Sequence, residues 1–445
     1  MTRLPLDDYA QFTRHLGDRE FFGMKLGLER VQAVLQRLGN PERNFSSIHI
    51  AGTNGKGSTA CFLAGILRQA GYRVGLYTSP HLVDFCERIR VGAQHPPEAD
   101  QPPAEAAPLH ITPDDVLRLG RIITDCETEP LTFFEMTTVM ALLYFAEHNT
   151  GAYGDTPLLA ILETGLGGRL DATNVVTPLV SVITTIGFDH QQYLGDSLEK
   201  IAAEKGGIIK PGVPVVCGVS DPGPRQVLER MAAERKAPWI PVGAYGNTPL
   251  QDRDYPLGLA GEYQRLNAAL AVAVVNLLAN GGPVGAYCNT PLQNITDAQI
   301  RAGLLQARWP GRLESIQTPG GQDILLDGAH NVPAMQALVD HLKKTYAQRP
   351  IHLLFGAMSD KDWPAMLRLL APLCQQATFV RPNLKRAEDP LRFQELAQSV
   401  GLRSEVVPAV AKGFSQAMAG LPRDGLLLVT GSLFVVGNVH ELLKF

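Results

Sequence analysis

The chain has 445 residues, 45% hydrophobic and 19% charged, with a formal net charge of −4. That length exceeds one ordinary core, so two domains are expected, and the balance of charge argues against a nucleic-acid or anionic-membrane surface. Six scattered cysteines without metal-ligand spacing, an opening MTRLPLDDYAQF without the apolar core of a secretion signal, and no apolar run longer than Ala269–Ala279 point to a soluble cytoplasmic protein with reduced thiols.

A helix is predicted over Leu28–Leu38, closed by Gly39-Asn40-Pro41. A strand over Ser47–Ala51 then runs into AGTNGKGST, followed by Phe62, Leu63, Ile66 and Leu67 at helical spacing. Strand, glycine loop and helix make a phosphate cradle. The glycines let backbone N–H groups approach phosphate oxygens, and Lys56 would reach the terminal phosphates. The strict GxxxxGK[ST] spacing is not met, so a tight structural turn stays open as the alternative. Farther on, YTSPHL ends a short apolar run at Ser79. A Pro- and Ala-rich stretch, Gly92–His110, reads as an exposed loop.

The helix predicted over Phe133–His148 opens with Thr132 and Glu135 in capping-box spacing. A strand over Leu158–Leu162 delivers Glu163 to its C-terminal end, where ligands collect in open α/β sheets and a carboxylate can hold Mg²⁺. The strand over Leu179–Ile186 leads in the same way to Asp189-His190. Further strands are predicted over Val213–Cys217, Ile324–Leu326, Ile351–Phe355, Thr378–Val380 and Leu426–Val429, with Asp327 and His330 following one of them. The best domain boundary is QARWPGRLESIQTPGGQD, where Pro and Gly interrupt the periodicity. The alternation predicts α/β layers on a largely parallel sheet, with domains at 1–309 and 310–445.

A short repeat is dispersed through the chain: GAYGDTPL at 151, PVGAYGNTPLQ at 241 and PVGAYCNTPLQ at 283. Its irregular spacing excludes a solenoid. The codons GTA GGG GCG TAT TGC AAT ACG CCC CTA C would encode its third copy and read as their own reverse complement, which fits palindromic DNA inserted where loops tolerate it.

Taken together, LGLERVQAVLQRLGNPERNFSSIHIAGTNGKGS, YTSPHL, LTFFE, LETGLGGRLDATN, IGFDHQQYLG, IAAEKGGIIKPGVPVV, PGRLE, LLDGAHN, SDKD and TGSLFVVG resemble, in order, the motifs of the folylpolyglutamate synthase/dihydrofolate synthase family of the Mur ligase superfamily. The resemblance implies an N-terminal P-loop ATPase domain and a smaller C-terminal Rossmann-like domain, with an active site in the cleft between them. It also implies ATP-dependent addition of L-glutamate to dihydropteroate, or to the γ-carboxylate of a reduced folate, through an acyl phosphate. Carried over residue by residue, ATP phosphates fall on Asn54, Gly55, Lys56, Gly57 and Ser58, with further ATP contacts at Asn267, Arg312 and Asp327. Two Mg²⁺ ions fall to Ser79, Glu163, His190 and a carbamylated Lys205, so that Lys56, Glu163, His190 and Lys205 form the catalytic set. Thr132, Phe133, Phe134, Glu135, Leu170, Asp171 and Ala172 resemble the pterin or folate side, and His330 and Ser432 the glutamate side. Tyr263 departs from the family's usual histidine, and Gly206 from its alanine. The implied partners are small molecules, without nucleic acid or membrane, on a monomer. The runner-up is a folylpolyglutamate synthase without the dihydrofolate synthase activity; a P-loop kinase or simple NTPase ranks below it, since it would leave the C-terminal half without a task.

Overall fold

The structure, a computed structural model, describes residues 8–19, 27–92, 109–149, 157–243, 255–279, 295–318 and 320–443. Of the three repeat segments only 157–158 and 241–243 are described, and 93–108 of the Pro-rich stretch lie outside the described residues. The chain divides into two compact units. The first holds 1–186, 197–258 and 266–307, and the second holds 187–196, 259–265 and 308–445.

In the first unit an eight-stranded sheet is built from β1 (Ser46–Ala51), β2 (Arg73–Tyr77), β3 (Ile89–Gly92), β4 (Leu109–His110), β5 (Leu158–Glu163), β6 (Val180–Ile183), β7 (Val215–Cys217) and β8 (Trp239–Pro241). The order is β4-β3-β2-β5-β1-β6-β7-β8. Strands β2, β5, β1, β6, β7 and β8 are parallel, while β3 and β4 add antiparallel pairs at one edge. The central strands are buried on both faces, as parallel sheets are, and β1 and β6 bury a few polar side chains, Ser47, His49 and Ser181, among their apolar ones. Every residue of β5 is buried, as are the last five of β1. Two expectations are corrected here. The predicted loop Gly92–His110 begins and ends in strand, with Leu109 opposite Val91. The strand predicted over Leu179–Ile186 is shorter, Val180–Ile183, and Thr184 and Thr185 lie beyond its end.

The second unit carries a six-stranded sheet of β9 (Glu314–Gln317), β10 (Asp323–Leu326), β11 (Ile351–Phe355), β12 (Cys374–Phe379), β13 (Arg403–Val406) and β14 (Leu426–Thr430), in the order β13-β12-β11-β14-β10-β9. Only β9 is antiparallel. It lies inside the Pro- and Gly-rich stretch read as a boundary, and its alternating half-buried and exposed residues are those of an edge strand. Beneath the sheet, Phe355, Phe379, Phe393 and Trp363 pack edge-on or tilted, with centroids 5.0 to 6.4 Å apart.

One helix contact in the first unit has no tolerance. The helix Lys56–Gln69, which follows β1, crosses the helix Asp297–Gln306 at Gly65 and Gly303. A Cβ on Gly65 would lie 2.5 Å from the Gly303 carbonyl oxygen, and one on Gly303 would lie 2.4 Å from the Ile66 Cα. Backbone on both sides cannot give way as a flexible side chain would. Gly303→Ala is therefore expected to lower unfolding stability by about 1–3 kcal/mol, measured by denaturant titration, whereas Ala302→Gly on the same helix costs no more than about 1 kcal/mol.

Candidate functional site

In the first unit β1 lies between β5 and β6, with Ile50 opposite Glu163 and Ala51 opposite Ile183. The register brings the loop after β1, the acid ending β5 and the threonines after β6 to one edge of the sheet. Gly52 (φ +155°) turns the chain off the strand so closely to Thr184 that a Cβ would sit 1.8 Å from its hydroxyl oxygen. Gly55 (φ +86°) caps the helix Lys56–Gln69 in the left-handed region, and a Cβ there would meet Asn267 Oδ1 at 2.3 Å. The loop is braced from β6. Thr184 Oγ1 donates to the Asn54 carbonyl at 2.6 Å, Thr185 Oγ1 accepts from Asn54 N at 3.1 Å, and Thr53 N donates to the Thr185 carbonyl.

Two ammonium groups converge on one atom of this loop. Lys56 Nζ donates to the Gly52 carbonyl at 3.0 Å, and buried Lys205 Nζ donates to the same oxygen at 2.9 Å. Glu163, also buried, holds its Oε1 4.0 Å from Lys56 Nζ, and its Oε2 accepts from Ser79 N at 3.4 Å. Asn54, Lys56, Ser79, Glu163, Lys205 and Asn267 thus gather around one turn, with the first turn of a helix, Lys56 to Ser58, supplying backbone N–H groups and a positive dipole end.

The segments resembling the pterin side meet elsewhere in this unit. Thr132 and Glu135 form the predicted capping box on the helix Phe133–His148. Glu135 is already engaged: it accepts from Thr132 N at 2.8 Å and from Arg30 Nη2 at 2.6 Å. Phe133 is flanked by the Arg88 guanidinium, 4.8 Å from its centroid, and the Phe134 ring lies over Gly165, where a Cβ would come within 2.5 Å of it. Asp171 is buried and accepts from the amides of Gly165, Leu166 and Thr173 and from the Thr173 hydroxyl. Burial nonetheless pushes its carboxyl above the ordinary value. Leu170 and Ala172 flank it in the chain, so both predicted segments close on Gly165–Leu166.

In the second unit, Asp189 and His190 meet a partner that sequence reasoning left without a role. Lys361 Nζ, in SDKD, donates to Asp189 Oδ1 at 2.5 Å and to His190 Nε2 at 3.2 Å. Asn331 Nδ2 donates to Asp189 Oδ2 at 3.1 Å, and His330 Nε2 lies 3.9 Å from it. Burial alone would raise the Asp189 carboxyl, but Lys361, His190 and His330 outweigh it and hold it well below the usual carboxylate range. His330 donates from Nδ1 to the Gly328 carbonyl at 2.8 Å, and burial, with Lys361 nearby, lowers its pKa to about 4. The glutamate-side candidates lie on touching turns, since Gly431 N donates to the Ala329 carbonyl; Ser432 caps the helix Leu433–Leu442 through Phe434 N. Buried Asp327 accepts from Leu313 N and Ala329 N, each at 2.9 Å; burial raises its carboxyl against the pull of nearby Arg312. The motifs around Thr184, Thr185, Asn331 and Lys361 carried no sign of these contacts, because each partner lies far away in sequence.

The comparisons with known proteins agree in outline. Residues 311–433 match the family model "Mur ligase, glutamate ligase domain". The dihydrofolate synthase/folylpolyglutamate synthase of Bacillus subtilis (strain 168) is 35% identical over 444 residues, spanning 95% of this chain and 96% of its own. Among solved structures, E. coli FolC in complex with DHPP and ADP superposes with a TM-score of 0.82 at 28% identity, covering 100% of this chain and 99% of that one. The bifunctional folylpolyglutamate synthase/dihydrofolate synthase of Yersinia pestis, complexed with AMPPNP and Mn ion, gives 0.80 at 29% identity, with both chains covered in full. Lys361 and Asp189 form a part-buried ion pair, their side chains 7% and 11% exposed. Lys361→Met is expected to destabilise the protein by about 1.5–3 kcal/mol, the size of a hydrogen bond to a charged group, read by denaturant unfolding, with Asp189→Asn/Lys361→Met milder than the single change.

Proposed function

Since the chain belongs to the dihydrofolate synthase/folylpolyglutamate synthase family of Mur ligases, we propose that it is an ATP-dependent ligase that joins L-glutamate by an amide bond to dihydropteroate, to the γ-carboxylate of a reduced folate, or to both. The observation that carries the reading is the meeting of Lys56 and Lys205 on the Gly52 carbonyl, with Glu163 beside them. Two nitrogens within hydrogen-bond reach of one oxygen lie no more than about 6 Å apart, so their repulsion is at least about 3 kcal/mol at an effective dielectric near 20. A polyphosphate relieves that repulsion, and a carboxylate alongside suits a hard cation shared with phosphate oxygens.

The chemistry follows from charge. A carboxylate resists attack by an amine because its leaving group would be oxide. Transfer of the ATP γ-phosphoryl group to it gives an acyl phosphate, whose leaving group is phosphate. The α-amine of L-glutamate attacks the acyl carbon, the bond to phosphate breaks, and the products are the amide, ADP and inorganic phosphate. Asn54 to Ser58 would hold the phosphates through backbone N–H groups, and Lys56 and Arg312 would offset charge building on the phosphoryl oxygens. Asn267 and Asp327 belong to the same nucleotide assignment, Thr132 to Glu135 and Leu170 to Ala172 to the pterin side, and His330 and Ser432 to the glutamate side.

A divalent cation fits the residues present. Buried Glu163 and the Ser79 hydroxyl are hard oxygen donors, and Mg²⁺ sites need few protein ligands where phosphates supply the rest. When bound, such an ion would offset the negative charge of the phosphate oxygens. We assign two Mg²⁺ ions, with His190 and a carbamylated Lys205 completing the set. Lys361 donates to His190 Nε2, so that ring must exchange this bond to serve as a ligand. Carbamylation would turn one of the two crowded cations into an anionic oxygen donor. A domain boundary at 309/310, a monomeric state and a cytoplasmic location belong to the same reading; among the described residues no helix is long and apolar enough to cross a membrane.

The test is ADP release by purified protein given ATP, L-glutamate and either dihydropteroate or tetrahydrofolate. Release that requires both glutamate and a pterin substrate is expected, and release independent of glutamate would favour the simple NTPase. Lys56→Ala and Glu163→Ala should each cost at least about a hundredfold in kcat.

A further inference from the structure

The strand that feeds the phosphate loop carries an unexplained histidine. His49 is fully buried on β1, three residues before Gly52, and its Nε2 lies 2.7 Å from Thr173 Oγ1. Its Nδ1 is buried with no hydrogen-bond partner. Thr173 Oγ1 in turn donates to Asp171 Oδ1 at 2.5 Å. A hydroxyl has a single proton. As that proton goes to the carboxylate, the Thr173 oxygen is the acceptor from His49. The imidazole therefore carries its proton on Nε2 and keeps its lone pair on the partnerless Nδ1. Burial, aided by Lys210, lowers its pKa to about 3, so the ring stays neutral.

The chain Nε2–H to hydroxyl to carboxylate has one direction and one end, Asp171. That carboxylate also takes the amides of Gly165 and Leu166, which places it at the centre of the loop from Gly165 to Ala172. Asn174, one residue past Thr173, donates to the carbonyls of Arg169 and Gly207 and tightens the same loop. The second unit holds another His–Thr–acid chain, His352 to Thr378 to Glu405, but its three members stand on adjacent strands and end on no loop assigned to a substrate.

We propose that His49 is a positioning residue for the pterin side of the site: acting through the Thr173 hydroxyl, it fixes the Asp171 carboxylate and with it the loop Gly165–Ala172 that receives the pterin-bearing substrate. The inference rests on the assignment of that loop to the pterin side. It makes β1 a shared support, carrying the phosphate loop at its end and the anchor of the acceptor-substrate loop within it.

The experiment is steady-state kinetics on full-length protein, with KM measured separately for dihydropteroate and for ATP. Thr173→Val keeps the side-chain volume and removes the hydroxyl. It should raise KM for dihydropteroate roughly tenfold, the size of one hydrogen bond to a charged group, with KM for ATP changed less than about twofold. Thr173→Ser keeps the hydroxyl, and His49→Gln keeps a donor at the same reach; both should stay near the parent values. His49→Leu should match Thr173→Val, and the double variant should be no worse than either. If KM for ATP and dihydropteroate rise together, or neither moves while thermal stability falls, the chain is purely structural and the proposal fails. Leu170→Ala separates the two levels. Should it raise KM for dihydropteroate while Thr173→Val does not, the relay alone is overturned; should neither change do so, the pterin-side assignment falls with it.

Discussion

The carbonyl oxygen of Gly52 is the point on which the site turns. It is the first acceptor beyond β1, and both Lys56 and Lys205 bind it. Lys56 comes from the helix that follows the loop, Lys205 from the end of the helix Leu198–Lys205. The shared acceptor brings the two ammonium groups to one point. The loop can offer that oxygen only because Gly52 leaves the strand where a side chain would collide with Thr184. A glycine without a Cβ, a threonine closing behind it and two lysines in front form one constraint.

The parallel sheet makes that constraint productive. In a parallel arrangement the C-terminal ends of neighbouring strands share an edge, so Glu163 from β5 and Thr184 beyond β6 arrive beside the loop without any sequence proximity. The same edge explains why the loop is rigid. Asn54 is held through both its N–H and its carbonyl by Thr185 and Thr184, which presets the amides that would face phosphate. Preorganised donors of this kind favour charge that develops during a reaction, because they need little rearrangement when it appears.

Several side chains assigned to substrates also hold the fold. Glu135 caps its helix and pairs with Arg30; Asp171 gathers the Gly165–Ala172 loop; Asp327 fixes the turns at Leu313 and Ala329. Leu313 itself adopts a positive φ of 44° there, a backbone state uncommon for a branched side chain. Such residues place neighbouring backbone as much as they offer their own oxygens. The loss of one would therefore alter substrate affinity through the loop's shape, which is why substitutions that preserve volume and remove only a hydrogen bond are the informative ones.

Local pattern determined much of this protein. Glycines at 52 and 55 and a lysine at 56 between a buried strand and a helix mark a glycine turn that opens a helix, the backbone that a phosphate loop needs. The Thr132–Glu135 box marks its helix start because both partners lie within one turn. The order of motifs placed the chain in its family. What sequence left open was every contact whose partners are remote: Thr184 on Asn54, Lys361 on Asp189, His49 through Thr173 on Asp171. It also left the edges unread, since β4, β9 and β13 are short, partly exposed strands whose pairing, not their apolar content, makes them strands. Local chemistry is written in neighbouring residues and can be read there. Which distant side chain closes on it is decided by strand order and register, and these exist only once the whole sheet has formed.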